Sequence, residues 1–181
     1  MSRLFFALPL PWEIKSAVGQ VQEQVKQQMK YSRINWVDPD LFHITLHFLG
    51  DVEDERREEL VRLCQEKKIW PKPFELVLTS LNAFPNLKNP QTIFIETNIH
   101  PSLLHLRKQL ADILFSSRFD LDLKQWHSHI TIGRTKVLAE TICPEKIQVE
   151  PLKFYVNFFV LMESNLRSTG PIYSPVEEFK L

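Results

Sequence analysis

The chain has 181 residues, 44 % of them hydrophobic, and its 22 basic and 22 acidic side chains cancel to a formal charge of zero. That composition supports a substantial core and excludes a disordered chain. Zero net charge also excludes bulk attraction to long nucleic acid, where affinity comes from neutralising many phosphates; an RNA substrate would have to be read at an end or as a short fragment.

The length suits one domain or two closely packed lobes. Cys64 and Cys143 are the only cysteines and form no C-x-x-C pair. They provide no disulfide framework, and a reducing, cytoplasmic location is expected. Arg3 to Leu8 reads as a first strand rather than a signal peptide, stopped by Pro9 and Pro11. No apolar run approaches the roughly 20 residues of a membrane span, so no membrane partner is expected.

From Glu13 to Met29, apolar residues recur at Ile14, Val18, Val21, Val25 and Met29, the spacing of an amphipathic helix. A short extended piece, Ile34 to Val37, ends at Asp38-Pro39. In the next segment Phe42, Ile44, Leu46 and Phe48 alternate with His43, Thr45 and His47, which predicts a strand with one apolar and one polar face. Gly50-Asp51 should end it. Glu53 to Lys67 reads as a charged helix with Leu60, Leu63 and Cys64 inward.

Phe74 to Leu81 and Thr92 to Thr97 read as strands joined by an Asn/Pro-rich turn. Ser102 to Phe115 is a third helix, with Leu103, Leu106, Leu110 and Ile113 at helical spacing. Gln125 to Ile132 alternates again, and Leu152 to Met162 and Ile172 to Phe179 supply the last strands. This order predicts an α+β fold of mostly antiparallel sheet with helices on its outer faces.

Each half of the chain has a long helix and then a strand bearing His-x-Thr: His43-Ile44-Thr45-Leu46 and His129-Ile130-Thr131-Ile132. On a strand, residues i and i+2 share a face, roughly 6–7 Å apart. Each motif therefore projects an imidazole and a hydroxyl together, while the isoleucines fasten it into a core. If the two polar faces converge, the set fits a phosphate group. The hydroxyls donate to non-bridging oxygens, one imidazole removes a proton and the other gives one. A single H-x-T carries almost no information; two copies in the same apolar setting, half a chain apart, carry much more. A metal site is the competing reading, but His43 and His47 on a strand lie roughly 13 Å apart at Cα, too far for one ion. His127 and His129 lack a nearby Cys or carboxylate to complete a set.

These segments, in this order, resemble the two-histidine (2H) phosphoesterase superfamily, in particular the LigT/ThpR-like RNA 2′,3′-cyclic phosphodiesterases. Arg3 to Pro9 resembles the family's opening strand. Trp36-Val37-Asp38-Pro39 through His43-Ile44-Thr45-Leu46 to Phe48-Leu49-Gly50 resembles its first signature, and His129-Ile130-Thr131-Ile132-Gly133-Arg134 its second. Glu163 to Leu166 and Gly170 to Tyr173 resemble its closing segment. The chain departs from the pattern at Ser128, where many members carry Pro, and at Phe42, where Leu is common.

The resemblance implies a single domain over 1–181, built by internal duplication. Its two pseudo-symmetric lobes would each be an antiparallel sheet backed by helices, with the cleft between them holding both motifs. It implies hydrolysis of a terminal 2′,3′-cyclic phosphate on RNA to a 2′-phosphomonoester by a monomer, with neither metal nor cofactor. His43 would be the proton donor and His129 the acceptor, although the residues alone leave that order open. Thr45 and Thr131 would hold the non-bridging oxygens. Arg134, always charged, is assigned phosphate or ribose binding. Phe48 could stack on a base, though its alternation with Leu46 favours the core.

His47 and His127 belong on the cleft or its solvated rim. Trp36 and Tyr173 read as packing residues near that rim, and Glu163 and Ser164 as strand-end hydrogen-bonding groups. The basic pairs Lys67-Lys68 and Arg107-Lys108 read as solvated helix faces. The rival activities are 2′-5′ RNA ligation, cleavage of 2′-5′ oligoadenylate or a cyclic nucleotide, and RNA-end binding without turnover.

Overall fold

The computed structural model describes residues 1–67, 69–121, 125–167 and 170–181. Lys68, half of one basic pair, lies outside them. The elements run β1 (Ser2–Pro9), α1 (Trp12–Gln28), β2 (Arg33–Trp36), β3 (His43–Val52), α2 (Asp54–Glu66), β4 (Phe74–Phe84), β5 (Thr92–Thr97), α3 (Pro101–Ser116), β6 (His129–Val137), β7 (Lys153–Val156), β8 (Phe158–Arg167) and β9 (Gly170–Lys180). The fold is α+β. Its strands join in the order β7-β4-β5-β6-β3-β1-β8-β9, with β2 also laid against β6. Every pairing is antiparallel.

At the middle of this sheet β3 meets β6 through one bridge pair, Ile44 opposite Ile130. Both isoleucines are fully buried. On one side stand β3, β1, β8 and β9; on the other stand β6, β5, β4, β7 and β2. The expected strand over Leu152 to Met162 is two strands. β7 pairs with β4 and β8 with β1, so the chain passes from one side to the other at Asn157.

The helices cover the sheet as their spacing predicts. Helix α1 buries Ile14, Val18, Val21 and Val25. Its buried Gln22 donates both amide hydrogens, to the carbonyls of Val37 (2.7 Å) and Ile132 (2.8 Å), so the helix is tied to the residue after β2 and to β6. Helix α3 buries Leu103, Leu106, Leu110 and Leu114, taking Leu114 where the sequence pattern favoured Ile113. Each such leucine contributes about 1.5–3 kcal/mol on burial. Helix α2 faces inward through Leu60 and Cys64, with Leu63 half-buried. Burial pushes the Cys64 thiol up to about 12.

Several strand boundaries differ from the sequence reading: β4, β6 and β8 run on to Phe84, Val137 and Arg167, and two further differences have a visible cause. Gly50-Asp51 does not end β3. Gly50 takes φ +70° beside a bulge at Leu49, a left-handed conformation that glycine adopts without penalty, and pairing continues to Val52. The strand expected from Gln125 starts only at His129. The residues before it make other bonds: the buried Ser128 hydroxyl meets that of Thr97 at 2.5 Å, and the Thr97 N–H donates to the Ser128 carbonyl. A proline at 128 would lack that hydroxyl contact.

Gly133 is required for a different reason. A β-carbon there would lie 2.9 Å from Cε3 of Trp36 and 3.0 Å from Cγ2 of Ile34. These two side chains of β2 close over β6. Gly133→Ala is therefore expected to cost about 1–3 kcal/mol in denaturant unfolding, because the Trp36 ring must shift. An unchanged unfolding midpoint would contradict this packing.

Candidate active site

The Ile44–Ile130 register sets His43 beside Thr131 and Thr45 beside His129, on the face opposite the two isoleucines. The two histidines are then diagonal neighbours, roughly 7–8 Å apart and somewhat closer at Cβ. His43, Thr45, His129 and Thr131 line one cavity of about 350 Å³, together with Asn35, Trp36, Phe48, Arg134 and Tyr173. An adjoining cavity of about 220 Å³ continues past His129 to Phe84, Arg107, Trp126 and His127.

What brings Phe48 and Arg134 into this group is a pair of matching bulges. On β3, Thr45 opposes Ala7 and His47 opposes Phe6, leaving Leu46 as the extra residue. On β6, Thr131 opposes Phe94 and Gly133 opposes Ile93, leaving Ile132 as the extra residue. Each bulge falls three residues after its histidine and reverses the alternation. The fifth residue after the histidine therefore returns to the histidine's face: Phe48 on β3, Arg134 on β6.

Phe48 is accordingly 52 % exposed, not a core residue as strict alternation favoured. Its ring stacks on Phe5 at 5.4 Å. The same bulge turns His47 toward α3, where it still lines the adjoining cavity. His47 is buried, and its Nε2–H donates to the Arg107 carbonyl on α3 at 2.9 Å. Arg107, in turn, is not on a solvated helix face; its Nε–H donates to the Leu46 carbonyl at 3.0 Å.

Both motif histidines are anchored alike. Nδ1 of His43 donates to the Leu41 carbonyl and Nδ1 of His129 to the His127 carbonyl, each at 2.7 Å. A carbonyl only accepts, so Nδ1 carries the proton and Nε2 presents a lone pair when the ring is neutral. Nε2 of His43 accepts from the Thr45 hydroxyl at 3.0 Å. Aromatic rings hold the imidazoles in place: Phe5 (5.1 Å) and Tyr173 (5.3 Å) around His43, Phe94 (4.9 Å) and Phe84 (5.6 Å) around His129. Tyr173 thus packs on the His43 ring and lines the cleft, and Trp36 both packs on β6 and lines the cleft.

Burial lowers the pKa of both histidines below 6.5. The Leu41 and His127 carbonyls oppose that, while nearby positive charge adds to it: His129, Lys15 and Arg134 for His43, and Arg134 and His127 for His129. Glu96 acts the other way on His129. The cleft therefore disfavours a second positive charge when empty and favours an anion. Arg134 is exposed and lines both cavities, with one guanidinium N–H donated to Thr92 Oγ1 at 3.2 Å. Among the described residues, no three His, Cys, Asp or Glu side chains gather as a metal ion would need. No helix there is long and apolar enough to cross a membrane.

Sequence reasoning missed Phe5, Phe84, Phe94, Arg107 and Trp126. Phe5 and Phe94 sit within unbroken apolar runs, Leu4 to Leu8 and Ile93 to Ile95, where nothing marks the cleft face. The indole of Trp126 could have been noticed only as a polar aromatic three residues before His129.

The chain is similar in sequence and fold to known phosphoesterases. Residues 8–95 match the model of the LigT like Phosphoesterase family. An RNA 2′,3′-cyclic phosphodiesterase of Aquifex aeolicus is 30 % identical over 172 residues, covering 91 % of this chain and 92 % of that one. The crystal structure of TT0787 of Thermus thermophilus superposes with a TM-score of 0.86 at 28 % identity, covering 99 % of this chain and 97 % of the other. That of E. coli LigT complexed with 3′-AMP gives 0.81 at 26 % identity, covering 99 % and 98 %.

The fold is that of a two-histidine phosphoesterase. Within that class, the chain belongs to the LigT-like phosphoesterase family.

Proposed function

We propose that this protein hydrolyses the 2′,3′-cyclic phosphate at RNA ends to a 2′-phosphomonoester, with His43 and His129 as a general acid–base pair. The observation that carries this reading is the diagonal pair of imidazoles in one cavity, each with Nδ1 anchored to a carbonyl and Nε2 left for proton transfer. The relatives named RNA 2′,3′-cyclic phosphodiesterase support the substrate class. The matching bulges support reading residues 1–181 as one internally duplicated domain.

In the reaction, the oxygen of a water attacks phosphorus while Nε2 of one histidine takes its proton. The bond from phosphorus to O3′ breaks on the opposite side, and O3′ receives the proton carried on Nε2 of the other histidine. The 2′ ester remains. The family resemblance favours His129 as base and His43 as acid. When charged, the Nε2–H of His43 donates rather than accepts, which frees the Thr45 hydroxyl for a non-bridging oxygen. Thr131 takes an equivalent place beside His43, and Arg134 balances the charge that develops on the phosphate. Phe48, exposed at the cleft wall, offers a face for a base. No step calls for a metal ion or a cofactor.

Turnover requires one imidazole charged and one neutral. Because burial holds both ionisations below 6.5 in the free protein, kcat/KM is expected to peak on the acid side of that value. On the alkaline side it should fall about tenfold per pH unit as the acid form is lost. A plateau of kcat/KM extending to pH 8 would contradict this assignment.

The decisive experiment is product analysis on an oligonucleotide ending in a 2′,3′-cyclic phosphate, with EDTA present. A 2′-phosphate product is expected at an undiminished rate. A 3′-phosphate, or loss of turnover with EDTA, would overturn the reading.

The second cavity favours one further activity. Its roughly 220 Å³ is more than an attacking water requires, and it could admit a 5′-hydroxyl nucleoside, which would give 2′-5′ ligation by the same two histidines. Longer products from mixed cyclic-ended and 5′-hydroxyl RNAs would reveal it.

A further inference from the structure

The two histidine strands share one backbone bridge, Ile44 with Ile130. A single bridge leaves the spacing and angle between two strands loosely set. A second tie lies off the ladder: the Trp126 indole N–H donates to the Thr45 carbonyl at 3.0 Å. Trp126 stands next to His127, whose carbonyl accepts from Nδ1 of His129. One short stretch, 126–129, thus grips the first motif's backbone at one end and orients the second motif's imidazole at the other.

Arg107 holds the indole. Its guanidinium lies 4.7 Å from the Trp126 ring centroid. The same residue bonds the β3 bulge in both directions, donating from Nε to the Leu46 carbonyl and accepting from His47 at its own carbonyl. Helix α3 is in this way locked to the strand that bears His43, and the indole is pinned between that strand and the approach to His129.

We propose that Trp126 is a positioning residue, whose indole N–H fixes the separation of the two imidazoles, with Arg107 holding the indole in register. The proposal rests on reading His43 and His129 as the acid–base pair. Misplacing reacting groups by about 1 Å can cost on the order of a hundredfold in rate, so this tie matters to turnover more than to binding.

Trp126→Phe keeps an aromatic ring for Arg107 and removes the N–H together with part of the indole's volume, so the thermal melt is read alongside kcat. On a 2′,3′-cyclic-ended oligonucleotide, its kcat is expected to fall roughly 10- to 100-fold, with KM within about threefold of wild type and a cooperative thermal melt. Unchanged kcat would overturn the proposal. A lower melting temperature with normal kcat would mark a merely structural role and also overturn it.

A readout without substrate separates this claim from the activity. Titration of His43 is followed by NMR in wild type, His129→Gln, Trp126→Phe and the double variant. Removing the His129 charge should raise the His43 midpoint, and by less when Trp126 is Phe, because the rings then stand farther apart. Equal rises in both backgrounds would overturn the positioning role. If wild type fails to open the cyclic phosphate, the functional reading falls, and this cycle still decides what Trp126 does.

Discussion

His43→Ala and His129→Ala are each expected to lower kcat on a 2′,3′-cyclic-ended oligonucleotide by about 10²–10⁴-fold, the usual contribution of a positioned general acid or base. Each ring is held by a carbonyl on Nδ1 and by two aromatic neighbours, so its Nε2 is aimed before substrate arrives. That preorganisation is what alanine removes. The hydrogen bonds of both rings are made within two residues of their own position, so alanine breaks none between elements and loses only ring contacts. Both variants should therefore retain a cooperative thermal melt. Near-normal kcat in either one would remove that residue from the chemistry.

Arg134→Ala should lower kcat/KM by roughly 10- to 100-fold, since hydrogen bonds to charged groups contribute about 1.5–3 kcal/mol. Arg134 reaches the cleft because the bulge at Ile132 returns it to the face of His129. Its bond to Thr92 steadies the guanidinium without burying it. Lysine at this position should recover little, because a point charge does not reproduce the planar fork. The comparison of Ala, Lys and wild type on the same substrate checks both statements. Full activity in the alanine variant would assign Arg134 to the surface.

Much of this site was legible from one sequence, and the reason is local. Period-two alternation around His43 and His129 puts each imidazole on the face of its threonine, opposite the buried Ile44 and Ile130. Amphipathic spacing likewise located α1 and most of α3's inner face. The bulges were not legible. Leu46 and Ile132 look like ordinary members of alternating strands, and only pairing with β1 and β5 shows each to be an extra residue. Strict alternation therefore favoured the core for Phe48, which faces the cleft; His47 does line the adjoining cavity, as expected, but its bond to α3 was hidden. Arg107 posed the same problem. Beside Lys108 on a polar helix face it reads as solvated, but its use depends on where α3 crosses β3. Such crossings are properties of the tertiary fold, and local spacing does not encode them. The Trp126 indole bond to Thr45 joins residues on opposite sides of the chain's midpoint and is hidden for the same reason.

The claim that both imidazoles face one phosphorus is tested most directly by following their titrations by NMR with and without a nucleotide bearing a 2′-phosphate. A bound anion favours the charged form of every imidazole it touches, so the midpoints of His43 and His129 should rise together on binding. A rise in only one of them, or in neither at saturating ligand, would contradict a shared site.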